Sequence, residues 1–168
     1  MTTMIKAGDR FPSVPVKLVD AGGIADAMSD AVLGRGRVVF FSVPGAFTPT
    51  CHVNHLPGFL ANAAKLKAAG ADRIVCAAVN DHHVMKAWAV ATEALGRIDF
   101  IADGNALLAK ALGLDNDMTA SGMGVRYRRA ALLLEDGVVK SVFAEDKPGE
   151  VTGSGAGAVL LALQGERV

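Results

Sequence analysis

The chain has 168 residues, 51% of them hydrophobic, and its 17 basic and 17 acidic side chains cancel to a formal net charge of zero. That length and apolar content suit one compact domain over residues 1–168 with a sizeable core. The balanced charge, with no basic tail or stripe, argues against a nucleic-acid partner, and no apolar run is long enough to span a membrane.

Two cysteines in a chain of this length do not make a disulfide framework. No Cys-x-x-Cys and no Cys/His cluster at zinc spacing occurs, so no metal is expected. The first residues, Met1 to Lys6, have no apolar signal-peptide core, which makes the cytoplasm the expected compartment.

In chain order, Val14 to Val19 reads as a first strand. Asp20 to Gly36, rich in Gly, Ala and Asp, reads as a loop with weak structure. Val38 to Val43 is a continuous apolar run, as expected of a strand buried on both faces. Pro49 to Ala69 reads as a helix that Pro57 should kink or offset, with Gly70 as its C-cap. Ile74 to Val79 is a second buried strand. Asp81 is the expected N-cap of a helix reaching about Leu95 and stopping at Gly96. Ile98 to Ala102 reads as a short strand and Asn105 to Leu112 as a short helix. Ala130 to Leu134 and Val138 to Phe143 flank Glu135-Asp136-Gly137, a tight-turn signal for a hairpin. A last helix is expected from Ala156 to Leu163. Alternating strands and helices followed by a hairpin predict an α/β fold, a mixed sheet with a parallel core and helices on both faces. Ligands of such sheets sit at the carboxyl ends of the strands.

Cys51 lies just beyond one such end. In Pro44-Gly45-Ala46-Phe47-Thr48-Pro49-Thr50-Cys51, Thr48 suits the N-cap and Pro49 the first helical position. Cys51 is then third in the helix, where unpaired N–H groups and the helix dipole favour an anion. A thiol so placed ionises easily, and the thiolate is the reactive form. The alternative, a buried structural thiol, fits this turn poorly. The Thr48 hydroxyl can cap the helix and also hydrogen-bond the thiolate or an oxygen bound to it.

Cys76, in Arg73-Ile74-Val75-Cys76-Ala77-Ala78-Val79, reads as a core cysteine; the functional alternative is a thiol that resolves an oxidised Cys51. Arg126, Arg128 and Arg129 cluster before a strand. Arg128 reads as a solvated edge, whereas an arginine near Cys51 would hold a thiolate and orient an oxygen substrate. Of the four histidines, His52 adjoins Cys51 but does not share its helical face, and His55 reads as structural. His82 and His83 fit no metal pattern. Met85 and Trp88 read as core or interface. Gly153-Ser154-Gly155-Ala156-Gly157 does not follow a strand in a βαβ unit and reads as a loop into the last helix.

Pro44 to Cys51 followed by His55-Leu56-Pro57-Gly58-Phe59 closely resembles the active-site signature of type II (peroxiredoxin-5-like) peroxiredoxins. Ala7-Gly8-Asp9-Arg10-Phe11-Pro12, Val79-Asn80-Asp81, Val84-Met85-Lys86-Ala87-Trp88 and Glu135-Asp136-Gly137-Val138-Val139-Lys140 extend the resemblance over nearly the whole chain. It implies a thioredoxin-like fold and thiol-dependent reduction of hydrogen peroxide and organic hydroperoxides without a bound cofactor. By position, it makes Cys51 the peroxidatic cysteine and Thr48, Pro44 and Arg129 its active-site companions, with Pro44 shielding the pocket and Arg126 a second arginine. It also implies a homodimer. His83 and Ala89 depart from the phenylalanine and glycine common in the family near its dimer face. The resolving cysteine of the mammalian-type branch is replaced here by Gly153, and Cys76 matches a second cysteine whose resolving role varies. The expected reductant of a Cys51 sulfenic acid is therefore glutathione with glutaredoxin, and the rival is thioredoxin with or without Cys76. Readings from other classes are a redox sensor relaying oxidation to a partner, a holdase-like chaperone and a cysteine hydrolase, the last weakened by the lack of a His–Asp set.

Overall fold

The computed structural model describes residues 3–146 and 151–165, and at positions 51 and 53 the backbone alone. Strands β1 (Pro15–Asp20), β2 (Gly23–Met28), β3 (Arg37–Ser42), β4 (Arg73–Ala78), β5 (Asp99–Ala102), β8 (Ala130–Glu135) and β9 (Val138–Ala144) form one sheet in the order β2-β1-β5-β4-β3-β8-β9. The central strands β3, β4 and β5 run parallel, and the flanking pairs are antiparallel. Two short strands, β6 (Asp115–Asp117) and β7 (Val125–Tyr127), pair separately.

Alternation along the buried strands supplies two cores. One face carries Val39, Phe41, Cys76, Phe100, Ala131 and Leu133. It packs on α2 (Leu56–Ala68), α3 (His82–Ala91) and α5 (Ala156–Gly165) through Phe59, Leu66, Trp88, Val159 and Leu163. The other face carries Phe40, Val75, Ile101 and Leu132, covered by α1 (Ser29–Leu33) and α4 (Leu107–Leu112). This is the mixed sheet flanked by helices that the pattern implied. The hairpin is also as expected: Asp136 (φ 49°) and Gly137 (φ 82°) both sit in the left-handed region that a two-residue turn needs.

The segment 20–36 corrects the sequence reading. It holds β2, paired along its length with β1, and then α1. β2 is an edge strand that is largely exposed, so it lacks the apolar alternation that marks a half-buried strand. Helix α3 ends at Ala91 rather than near Leu95. The Thr92 hydroxyl bonds the Trp88 carbonyl at 2.7 Å, and Glu93 turns left-handed (φ 59°), ending the helix before Gly96.

Candidate active site

The loop after β3 is fastened at every turn. The Ser42 hydroxyl donates to the Arg128 carbonyl at 2.7 Å, and Val43 N–H to the Ala77 carbonyl at 3.0 Å. Pro44 and Gly45 are buried. A Cβ on Gly45 would stand 3.0 Å from Arg126 Nη1 and 3.2 Å from Thr48 Cγ2, so a side chain there would press on both. Ala46 N–H donates to Asn80 Oδ1 at 2.9 Å, and Phe47 takes a left-handed conformation (φ 61°), strained for a residue with a side chain. The Thr48 hydroxyl donates to the Gly45 carbonyl at 2.7 Å. Its one hydrogen is thereby used, and its lone pairs remain to accept.

Helix starts at Pro49 and continues as a π-turn over Cys51–His55 before α2. Pro57 has no N–H to give the carbonyl four residues back, and its ring crowds that carbonyl. The widened turn directly before it is the offset expected of this proline, and π-turns recur at functional sites. The backbone of Cys51 thus stands in the first turn of a long helical segment, at its positive end. No carboxylate lies between Asp30 and Asp72, so nothing in this stretch of chain opposes an anion there.

Register brings Arg129 to the same place. Ser42 on β3 pairs with Ala130 on β8, so Arg129 lies beside the exit of β3. Arg129 is only 2% exposed, and its Nη1 lies 2.7 Å from His55 Nδ1, the last residue of the π-turn. His55 is equally buried, wedged against Phe41 and Phe59, and its Nε2 lies 2.9 Å from the Ser154 carbonyl. Burial foremost, with the adjacent Arg129 charge, lowers its pKa to about 4 against the opposing pull of Ser154 and Glu145. His55 is therefore neutral at pH 7. It holds the arginine and is not a proton carrier, in keeping with its structural reading. His52 is committed elsewhere: its Nδ1 accepts from Trp88 Nε1 at 3.0 Å, and Phe47 stacks on its ring at 5.5 Å.

Arg126 also reaches the loop, donating to the carbonyls of Met123 (2.9 Å) and Val79 (3.2 Å) while covering Gly45. Arg128 turns outward to the Glu145 carbonyl and Asp146. Cys76 sits mid-strand, fully buried, in register with Phe41 and Phe100 on the sheet face that α2 covers. Asn80 and Glu145 were missed as supports. Asn80 closes a strand, and the Val79-Asn80-Asp81 resemblance assigns it no role in the loop. Glu145 bonds to Thr152 and Ser154, contacts that no sequence pattern announces.

A cavity of about 770 Å³ opens elsewhere, between β1, β2 and the start of α3, and no residue of the Cys51 loop lines it. Among the described residues no group of three or more His, Cys, Asp and Glu side chains could hold a metal ion, and no helix is long and apolar enough to cross a membrane.

Comparison with known proteins agrees with this geometry. The Redoxin family model matches residues 6–160. Peroxiredoxin-2E-2, chloroplastic, of Oryza sativa subsp. japonica is 45% identical over 167 residues, covering 95% of this chain and 72% of its own. Peroxiredoxin-2B of Arabidopsis thaliana is 42% identical over 160 residues, covering 95% of this chain and 98% of its own. The solved structure of reduced Prx3 from Vibrio vulnificus in complex with H2O2 superposes with a TM-score of 0.88 at 39% identity, over 95% of this chain and 99% of that one. The chain belongs to the type II peroxiredoxins of the thioredoxin-like superfamily and is a thiol-dependent peroxidase, an oxidoreductase.

Proposed function

We propose that Cys51 is the peroxidatic residue and that the chain reduces hydrogen peroxide and organic hydroperoxides through a Cys51 sulfenic acid. The observation that carries this is the buried Arg129, fastened at 2.7 Å to the end of the π-turn that Cys51 begins. The Cys51 thiolate attacks the distal oxygen of the hydroperoxide. The S–O bond forms as the O–O bond breaks, and water or an alcohol leaves after taking up a proton. Cys51 is oxidised to Cys–SOH and the peroxide is reduced.

Each companion has one task. Thr48, whose hydroxyl hydrogen is held by Gly45, accepts from the peroxide O–H and sets its direction. Arg129 and the N–H groups of the helix start stabilise the charge that passes along the oxygens. Pro44 shields the thiolate from water. The Vibrio relative's structure was solved with H2O2, which supports that substrate class.

The sulfenic acid then condenses with glutathione, releasing water. Glutaredoxin with a second glutathione restores the thiol and yields glutathione disulfide. Two points support an external thiol: by the family resemblance Gly153 takes the position of a C-terminal resolving cysteine, and Cys76 is sealed inside the sheet. We further propose one redoxin domain over residues 1–168, a homodimer and a cytoplasmic location.

The test is steady-state peroxide consumption with glutathione–glutaredoxin and with thioredoxin in parallel, for wild type, Cys51→Ser and Cys76→Ser. Loss of turnover in Cys51→Ser alone, with the glutathione couple preferred, is expected. Loss in both variants, with an internal disulfide in oxidised wild type, would make Cys76 the resolving thiol. Full activity in Cys51→Ser would overturn the mechanism.

A further inference from the structure

The support behind Arg129 extends two residues past His55. The Ser154 carbonyl can only accept, so His55 Nε2, 2.9 Å away, must carry the ring hydrogen. That leaves the lone pair on Nδ1, the atom that faces Arg129 Nη1 at 2.7 Å. The other tautomer would set N–H against N–H. Ser154 thus decides whether His55 can accept from the arginine.

Ser154 is in turn held by Glu145. The buried carboxylate accepts from the backbone N–H of Thr152 and of Ser154, each at 2.8 Å, and from both hydroxyls. Burial opposes the charge, but these four donors outweigh it and bring the Glu145 pKa to about 2, so the clasp is ionised across the working range. The backbone of Glu145 also donates to the Arg129 carbonyl at 2.9 Å, one step past the Ala130–Ala144 end of the β8–β9 ladder. One residue therefore grips Arg129 along the backbone and, through Ser154 and His55, at its guanidinium.

We propose that Glu145 is a positioning residue for peroxide reduction: by clasping Thr152 and Ser154 it fixes the His55 tautomer and so aims Arg129. The proposal rests on the reading of Arg129 as a group that touches the peroxide. Glutamine is nearly the size of glutamate, but its amide offers one acceptor oxygen and two donors, so it cannot take four donated hydrogens.

The test is a double-mutant cycle on the single-turnover reaction of fully reduced protein with hydrogen peroxide, followed by stopped flow, which is independent of any reductant. Glu145→Gln should slow oxidation about 10-fold in the wild-type background and less than about 2-fold in the Arg129→Lys background, a coupling ordinary for members of one hydrogen-bond network. The same factor in both backgrounds, or no effect in either, would overturn the inference while leaving Arg129 in its role. An Arg129→Lys variant as fast as wild type would instead sink the reading of Arg129, and the inference with it. If Glu145→Gln does not fold, Ser154→Ala removes one hydroxyl from the clasp and should show the same background dependence at about 3-fold.

Discussion

Cys51 and Cys76 are the same chemical group in opposite kinds of place. Cys76 is mid-strand in β4, flanked in register by Phe41 and Phe100, with apolar neighbours on both sides. Burial of that kind disfavours the thiolate. Cys51 stands where β3 has ended, at the positive end of a helix, in the π-turn whose last residue meets the buried Arg129, and far in sequence from any carboxylate. On the proposed reading of Cys51, reactivity follows from backbone position rather than from the residue. The sheet makes one thiol part of its core, and the loop that leaves the sheet carries the other, the proposed nucleophile.

The sharpest way to break the comparison is to label both thiols at once. Native protein treated briefly with iodoacetamide at pH 7 should carry the label on Cys51 and not on Cys76, by peptide mass spectrometry. An opening cost of only about 3 kcal/mol at Cys76 already slows it about 100-fold. Comparable labelling of the two would show that mid-strand burial does not silence Cys76.

Much of this contrast is legible in the sequence, because it depends on local signals. A continuous apolar run, a Pro-Gly turn, an N-cap and a proline at the first helical position place Cys51, and a run without polar residues places Cys76. The hairpin likewise follows from Asp136-Gly137. What lies outside the sequence is non-local. The edge strand β2 is exposed, so pairing with β1 and not its own pattern makes it a strand. The π-turn needs Pro57 and the packing of His55 together. The clasp of Glu145 on Thr152 and Ser154 joins groups between β9 and α5 that no period or spacing relates.

A second test sets the polar support of the Cys51 region against the rest of the fold. His55 has its folded pKa at about 4, below the ordinary imidazole value of 6.5, with burial as the main cause. A base depressed in this way stabilises the fold fully above pH 6.5 and loses that contribution as pH falls towards 4, since the unfolded chain then binds the proton and the folded one does not. The full effect is about 3 kcal/mol. Glu145 adds a separate loss as pH falls through its own window, from 4.5 to about 2. Asp103, whose pKa burial raises although the Leu108 and Ala109 amides and the Tyr127 hydroxyl bond it, works in the opposite direction as its carboxyl protonates. Urea unfolding at pH 6.5, 5 and 4 should therefore show a falling stability in wild type and a flatter profile in His55→Asn. Identical slopes would mean that His55 is not held neutral by its site.

The smallest expected effect isolates a single hydroxyl. Thr48→Val keeps the side chain's shape and β-branching but loses both the bond to the Gly45 carbonyl and the lone pairs left to accept from a hydroperoxide. If Thr48 only shaped the loop, the variant would lower stability and leave the reaction of the remaining folded protein nearly unchanged, because the loop keeps the Ala46–Asn80 bond. If it orients peroxide, the single-turnover rate with hydrogen peroxide should fall about 10-fold, the value of roughly 1.4 kcal/mol of lost transition-state hydrogen bonding. The rate of iodoacetamide with Cys51 should change little, since that reagent brings no hydroxyl for Thr48 to accept from. A parallel fall in both reactions would assign Thr48 to the thiolate rather than to the substrate.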